Sequence, residues 1–192
     1  MSEQALSPRE RLLQTASRLF YAEGIHSVGV DRLVTEAGVT RATFYRHFPT
    51  KEALVEEYLR STDAWLRSTV GNAFTELDPE QELEALLDLI DARTSAPDFR
   101  GCQFINAAAE FPAAQHPVHV AVNAHRAWFQ RTASDLAARL GHPSPERAGE
   151  MMVLLHDGAL VASELDDPDA VRAAVRDAAR QLMLPAAPAL AN

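Results

Sequence analysis

The sequence predicts an all-α protein, in which three short helices are followed by a larger helical domain, with about nine helices in all. Apolar residues recur at spacings of three and four from end to end, which is the period of an amphipathic helix. Runs that alternate like half-buried strands extend over only a few positions. Four pairs of a capping residue and a proline mark helix starts: Ser7-Pro8, Asp78-Pro79, Ser144-Pro145 and Asp167-Pro168.

The composition limits the class of protein. A chain of 192 residues, 47% of them hydrophobic, can bury a core of its own as one domain or two. Its single cysteine excludes a disulfide framework within the chain. Neither a signal peptide nor an apolar run of about 18 residues is visible, so we expect a soluble cytoplasmic protein with no membrane partner.

Positive charge is concentrated near the N-terminus. The formal net charge of the chain is -9, yet residues 1–52 hold 7 Lys and Arg against 6 Asp and Glu. The remainder holds 11 against 21. Only the N-terminal quarter therefore suits a polyanionic partner.

The first helix is expected over residues 8–23. It begins at a capping box, in which the side chains of Ser7 and Glu10 each accept a hydrogen bond from the other residue's backbone. It ends at Gly24, a residue typical of helix ends. Its apolar face is formed by Leu12, Leu13, Ala16, Leu19 and Phe20.

Two further short helices follow, over residues 30–36 and 41–47. The turn between them contains Gly38, which can adopt the left-handed conformation that ends a helix, and Thr40, a favourable N-cap. Two helices joined by a short turn that contains glycine form the helix-turn-helix pattern. In that pattern the helix after the turn enters the major groove of DNA.

The third helix is expected to display its basic side chains. Phe44 and Phe48 lie one turn apart and can bury together, which leaves the remaining side chains near the surface. Arg41, beside small neighbours, is expected to reach base edges, whereas several polar side chains suit phosphate oxygens. The alternative is an ordinary solvated helix face. The residues expected to contact DNA are Thr40, Arg41, Ala42, Thr43, Tyr45, Arg46, His47, Thr50 and Lys51.

Residues 9–59 resemble the DNA-binding domain of TetR-type transcriptional regulators, because LF, a glycine, AGV, FYRHF and KEAL fall at that family's spacing. The resemblance implies a dimeric all-α repressor of double-stranded DNA whose C-terminal domain binds a small inducer. It also places Thr40, Arg41, Ala42, Thr43, Tyr45, His47 and Lys51 at DNA-contact positions. The sequence departs from the family at Val28-Gly29, where a Ser or Thr usually caps the helix and touches a phosphate.

We therefore expect a helix-turn-helix DNA-binding domain over residues 1–50 and a ligand-binding and dimerisation domain over 51–192. The fourth helix should run from Thr50 to about Leu77, with Trp65 on its inner side. Further helices are expected over residues 79–95, 101–111 and 117–140, and after Pro145 and Pro168.

The last two helices carry apolar stripes with small residues, which allow helices to approach closely. The resemblance favours a dimeric four-helix bundle built from these helices, and a two-fold protein matches a palindromic operator. A core within one chain is the alternative. The expected dimer-interface residues are Met151, Leu155, Gly158, Ala162, Val171, Ala174, Val175, Ala178 and Leu182.

The stretch RGCQFINAAAEF is rich in chemically distinctive side chains. Cys102, Asn106 and Glu110 share one face of an apolar helix, and buried polar groups need partners, which a ligand can supply. The stretch resembles a "GCxFxNAAxE" helix in one branch of TetR-type regulators. The candidate ligand-binding residues are Trp65, Cys102, Phe104, Asn106, Glu110, His125 and Trp128. Alternatively, Asn106 and Glu110 cap neighbouring helices or pair with Arg126, and the cysteine and aromatic residues are plain core.

Other functions have weaker support. His116, His119 and His125 accompany Glu110 and Cys102, but no HExxH or paired CxxC motif is present, so we expect neither a metal nor another cofactor. An enzyme would rest only on Cys102, Glu110 and His125 and is not expected. A DNA-binding protein without an inducer is the closer alternative. The preferred hypothesis is a repressor that binds a palindromic operator as a homodimer and is released by a small molecule.

Overall fold

The computed structural model describes residues 6–184, and all the regular secondary structure in that range is helical. The helices are α1 Pro8–Glu23, α2 Val30–Glu36, α3 Arg41–His47, α4 Lys51–Ala73, α5 Pro79–Thr94, α6 Gln103–Glu110, α7 Pro117–Arg139, α8 Pro145–Leu165 and α9 Pro168–Met183. The all-α prediction is confirmed for the described part of the chain.

The predicted capping box of α1 is present, and α5 begins with a second capping box. The Glu10 backbone N–H donates to Ser7 Oγ at 3.3 Å, and the Ser7 N–H donates to Glu10 Oε2 at 2.7 Å. Asp78 and Gln81 form the same reciprocal pair at the start of α5, at 2.9 and 3.1 Å. Each box satisfies amides that the first helical turn would otherwise leave unpaired, which is why these starts could be read from the sequence.

Two local expectations were wrong. Ser144 precedes α8 but makes no side-chain capping bond, because its backbone dihedrals of -140° and 71° depart from the extended geometry of the other caps. The fourth helix ends at Ala73 and does not reach Leu77. The chain turns there through Glu76, whose φ is 63°, and this turn brings Asp78 into position to cap α5.

The chain divides into two compact units. The first contains the residues up to Trp65 together with Gln103–Asn123, and the second contains Leu66–Cys102 and the residues from Ala124 onward. This is a division by packing. The functional boundary at residue 50 stays a prediction, and the outermost parts of the two expected domains, residues 1–5 and 185–192, lie outside the described range.

The core of the first unit holds α3 by its apolar face. Phe44 and Phe48 are both buried, as expected, and each such side chain contributes about 1.5–3 kcal/mol through its removal from water. Phe20 of α1 meets Tyr58 of α4 edge to face, with 5.9 Å between ring centroids. Burial of Phe44 and Phe48 thus fixes which side of α3 faces solvent.

The second unit combines an apolar core with a charged seam between α5 and α9. Its core includes Leu83, Leu87, Leu136, Met152, Ala179 and Met183. On the seam, Arg176 pairs with Glu84, Asp88 and Asp91, and Arg180 Nε donates to Glu84 at 2.7 Å. The hydrogen bond from Arg180 is the main cause that lowers the pKa of Glu84. These pairs attach α9 along one side of α5.

Candidate nucleic-acid interface

The turn between α2 and α3 is fixed by its own capping bond and by hydrogen bonds from α1. Gly38 has φ of 61°, the left-handed conformation expected of it, and the Thr43 N–H donates to Thr40 Oγ1 at 3.1 Å, which caps α3. Arg11 of α1 donates from Nε to the Ala37 carbonyl at 3.1 Å and from Nη2 to the Gly38 carbonyl at 3.2 Å. Arg11 thus holds the turn between α2 and α3 against α1.

The face of α3 opposite its phenylalanines is open to solvent. Arg41, Ala42, Tyr45 and Arg46 are exposed, whereas Thr43 is half-buried. Arg46 forms no ion pair or hydrogen bond among residues 6–184. Small residues beside two arginines and a tyrosine form a surface that can approach a groove closely. Most residues expected to contact DNA therefore share one surface.

Two of the residues expected to contact DNA are held by other interactions, and the ring of a third is partly enclosed. Thr50 accepts a hydrogen bond from the Ala53 N–H at 3.1 Å and caps α4, as predicted. The ammonium group of Lys51 lies 6.0 Å from the centroid of the Phe20 ring, and burial is the main cause that lowers its pKa. The Nε2 atom of His47 is enclosed without a hydrogen-bond partner in the described residues. A phosphate contact by Lys51 or by His47 Nε2 requires the side chain to turn outward.

The N-terminus of α2 lacks a side-chain cap, as Val28-Gly29 led us to expect. Gly29 is the N-cap residue with φ of -78° and ψ of 159°, and no side-chain capping bond is formed. Val28 is completely buried and belongs to the core. A phosphate at this position would be bound by backbone N–H groups.

Sequence reasoning missed an acidic residue at this surface. Asp31, in the first turn of α2, accepts a hydrogen bond from Arg41 Nε at 2.6 Å. The two residues are ten positions apart, and no helical periodicity links them across the turn. The only available signal was an acidic residue at a helix N-terminus. Acidic residues are common there because they interact favourably with the helix dipole, so this one did not indicate a contact with Arg41.

Glu110, a candidate ligand residue, anchors the segment between α1 and α2. Its Oε1 accepts the Ile25 N–H at 2.7 Å, its Oε2 accepts the His26 N–H at 2.5 Å, and His26 Nδ1 lies 2.9 Å from Oε2. Gly24 permits this approach, because its φ is 87° and a Cβ there would lie 3.3 Å from Oε1. Glu110 thus binds amides of the loop between α1 and α2, which is neither the helix cap nor the pairing with Arg126 of the alternative.

The histidines near Glu110 belong to an aromatic stack. Phe111 lies between His26 and His116, with ring centroids 4.9 and 4.6 Å away, and His119 Nδ1 is 3.1 Å from the Phe111 carbonyl oxygen. Within the described residues, no group of three or more His, Cys, Asp or Glu side chains is placed to hold a metal ion.

The remaining ligand candidates are divided between the two units. Trp65, Phe104, Asn106 and Glu110 belong to the first, and Cys102, His125 and Trp128 belong to the second. Phe104 and His125 are buried, whereas Asn106 is exposed.

The expectation that Trp65 faces inward was wrong, because 61% of its surface is exposed. Trp65 is the last residue of the N-terminal segment of the first unit.

A small cavity lies beside Asn106 and Glu110. Its volume is about 10 Å³, which is space for roughly one water molecule, and it is lined mainly by residues of α1, α4 and α6. A larger molecule would have to displace side chains, including the carboxylate that holds the loop after α1.

Arg126 has a partner within the second unit. Its Nη2 lies 2.7 Å from Asp157 Oδ2, and His156 Nδ1 lies 3.7 Å from Asp157 Oδ1. Burial of Asp157 acts to raise its pKa, but the hydrogen bonds from His156 and Arg126 outweigh burial and lower it. The Asp157 carboxylate therefore has two partners within the second unit, Arg126 and His156.

An apolar stripe on α8 is exposed. Leu154 is 66% exposed and Leu165 is 77% exposed, and Met151, Gly158 and Val161 complete the stripe at spacings of three and four. The predicted interface set overlaps this stripe only in part. Leu155 packs partly against the core of its own unit, and Val175 of α9 is buried there. Ala162, Val171 and Leu182 are half-buried, whereas Ala174 and Ala178 are exposed.

No helix of residues 6–184 is long and apolar enough to cross a membrane.

Comparisons with known proteins agree with this architecture. The family model described as "Bacterial regulatory proteins, tetR family" matches residues 12–58. A TetR-family transcriptional regulator of Streptomyces coelicolor, SCO4454, has a crystal structure that is 44% identical in sequence, with a TM-score of 0.88. The match covers 92% of this chain and 94% of that one.

Two curated relatives match over shorter segments. The HTH-type transcriptional regulator LmrA of Bacillus subtilis is 27% identical over 124 residues, 62% of this chain and 66% of LmrA. The HTH-type transcriptional repressor KstR2 of Mycolicibacterium smegmatis is 34% identical over 103 residues, 53% of this chain and 49% of KstR2. This chain thus spans between 49% and 66% of these two proteins. All three relatives are named as regulators of transcription and none as an enzyme. With nearly the full length of the Streptomyces structure matched at this identity, the chain belongs to the TetR family of transcriptional regulators.

Proposed function

We propose that this protein is a transcriptional repressor that binds a palindromic operator as a homodimer and that a small molecule releases it. The observation that carries the proposal is the orientation of α3. Burial of Phe44 and Phe48 turns Arg41, Tyr45 and Arg46 toward solvent, on a helix whose N-terminal turn carries no acidic residue. A helix of this kind supplies base contacts at its N-terminus and phosphate contacts along its side.

The exposed stripe on α8 supports the homodimer. Apolar side chains at Met151, Leu154, Val161 and Leu165 lie on one helix face, and such a stripe is typical of a helix–helix contact. Gly158 in the middle of the stripe allows two helices to approach closely. A two-fold dimer presents two α3 helices to half-sites about 34–36 Å apart, which corresponds to one turn of DNA.

Release by a small molecule requires a difference in affinity between two arrangements of the dimer. The molecule must bind the arrangement that cannot contact both half-sites more tightly than the one that can, and the population then shifts. The resemblance of α6 to the "GCxFxNAAxE" helix of some TetR-type regulators supports a ligand near Phe104 and Asn106. A regulator of this kind acts on chromosomal DNA, which in a bacterium is in the cytoplasm.

A DNA-binding protein without an inducer is the second candidate. It is favoured by the use of both Glu110 carboxylate oxygens for loop contacts and by the small volume of the adjacent cavity. In that case α6 serves the fold of the first unit and regulation depends on a protein partner.

The first test is a DNA-binding titration. The protein is titrated against the intergenic DNA beside its own gene and against random duplex, at two salt concentrations. We expect tight binding confined to a palindrome. Arg41→Ala should weaken operator binding by about 1–3 kcal/mol. Arg172→Ala, which changes a half-buried arginine of α9, is the matched control and should bind as the unaltered protein does.

Equal, steeply salt-dependent binding to every duplex would contradict an operator-specific repressor.

A further inference from the structure

We propose that Asp31 is a specificity-determining residue, which orients the guanidinium group of Arg41 for the recognition of one guanine in each half-site. The inference rests on the proposed function, since it assumes that α3 binds DNA. It concerns a residue of α2 that is not expected to touch a base itself.

The contact with Asp31 uses the Nε–H of the Arg41 guanidinium group and leaves the edge formed by Nη1 and Nη2 open. Arg41 donates from Nε to Asp31 Oδ1 at 2.6 Å, and this is its only hydrogen bond among residues 6–184. The terminal Nη1 and Nη2 groups are therefore unoccupied. They form a fork of parallel N–H donors, which is the arrangement that pairs with O6 and N7 of guanine in the major groove.

Orientation matters because an arginine side chain is flexible. An arginine that moves freely loses rotational freedom when it binds a base, and the loss offsets part of the hydrogen-bond energy. Arg41 is mainly exposed, and among residues 6–184 the Asp31 carboxylate is the group that hydrogen-bonds its side chain and so restricts its motion. A guanidinium group held in advance discriminates better between guanine and the other bases.

The charge of Asp31 adds a second effect. Its side chain is 78% exposed and lies on the surface that would approach DNA. A carboxylate there repels the phosphates of every duplex, whatever the sequence. Only a site at which Arg41 forms its full set of base contacts compensates for that repulsion. Asp31 should thus lower affinity for random DNA while it raises preference for the operator.

A purely structural role does not account for the pair. Both side chains are largely exposed, and an exposed ion pair contributes little to folding. Asp31 already has a favourable place at the N-terminus of α2, where the helix dipole stabilises a carboxylate without any partner. We therefore infer that the contact between Asp31 and Arg41 serves the DNA-binding role proposed for α3.

The test compares variants at Asp31 and Arg41 on three duplexes. The operator is first selected from a randomised duplex pool with the full-length protein, and the guanine read by Arg41 is the position at which Arg41→Ala loses its preference. The duplexes are then the operator, the operator with that guanine replaced, and a random sequence. Thermal unfolding of each variant confirms that it is folded.

For Asp31→Ala we expect the preference for guanine to fall on the order of tenfold, while binding to random DNA becomes tighter. Asp31→Asn should retain most of the preference, because the amide oxygen still accepts from Nε, and should also bind random DNA more tightly. In the Arg41→Ala background, Asp31→Ala should leave discrimination at that position unchanged. Arg41→Lys should lose the preference even with Asp31 present, since lysine has no fork.

The inference is overturned if Asp31→Ala keeps the guanine preference of the unaltered protein, or if it changes discrimination equally with and without Arg41. If the unaltered protein selects no sequence at all, the proposed function fails and the inference fails with it.

Discussion

The replacement of Glu110 by glutamine should loosen the segment that joins α1 to α2. Glu110 accepts from the Ile25 N–H at 2.7 Å, from the His26 N–H at 2.5 Å, and lies 2.9 Å from His26 Nδ1. A glutamine side chain keeps one acceptor oxygen and turns an NH₂ group toward a backbone N–H, so one charged hydrogen bond is lost and two donors face each other.

The expected cost follows from those contacts. Hydrogen bonds to charged groups contribute roughly 1.5–3 kcal/mol, and because one of the two backbone bonds is at an exposed site we expect a loss of about 2 kcal/mol. For a chain of this size, about 1 kcal/mol corresponds to a change of about 2–4 °C in the melting temperature. Glu110→Gln should therefore lower the melting temperature by about 4–8 °C.

Two measurements check this prediction. Calorimetry gives the melting temperature, and hydrogen exchange reports the amides of Ile25 and His26, which should exchange faster in the variant. Glu56→Gln is the matched control, because Glu56 lies in the same unit and forms no hydrogen bond or ion pair with the described residues. Unchanged exchange at Ile25 and His26, even with a lower melting temperature, would refute the role assigned to Glu110.

Three further predictions concern capping, dimerisation and pH. Gly29→Ser should stabilise the protein by about 0.5–1 kcal/mol, because the site has room for a side chain and α2 lacks a side-chain cap. Leu154→Glu should convert the proposed dimer to a monomer in sedimentation experiments, since it places a charge in the exposed stripe of α8. Asp157→Asn should lower stability at neutral pH. It should also reduce the loss of stability in acid, because the folded-state pKa of Asp157 is below its ordinary value of 3.8.

Each of these predictions has a control. Gly29→Ala restricts the unfolded chain as serine does but lacks the capping oxygen, so the serine variant should be the more stable of the two. Val120→Glu changes an exposed residue of α7 outside the stripe and should stay dimeric. The contribution of Asp157 is present above pH 3.8 and disappears as the pH falls through its lower folded-state pKa. If the unaltered protein and Asp157→Asn showed the same dependence of stability on pH, the pairing of Asp157 with Arg126 would be contradicted.

Elements governed by neighbouring residues were predicted well. The starts of α1, α3 and α5 depend on Ser7, Thr40 and Asp78, whose partners lie three residues away. The burial of Phe44 and Phe48 follows from a single helical turn. For such features the sequence contains both partners within one window, so the prediction needs no knowledge of tertiary structure.

Contacts between distant parts of the chain could not be predicted from the sequence. Glu110 bonds to Ile25, 85 positions earlier, and nothing in either segment indicates the other. Trp65 has the correct helical phase for burial, yet it lies where the first unit ends. The stripe on α8 was placed partly on Leu155, because apolar spacing alone cannot distinguish a face that packs within its unit from one that stays exposed.

The ion pairs of the first unit affect how the protein would compete for sites on a genome. Its paired arginines are Arg9, Arg18, Arg32, Arg41 and Arg60, each bound to a carboxylate of the same unit. Cations already matched by acids attract phosphates weakly, and the net charge of -9 adds repulsion. Chromosomal DNA would then retain few molecules at unrelated positions. A small number of copies per cell would suffice to keep a single operator occupied.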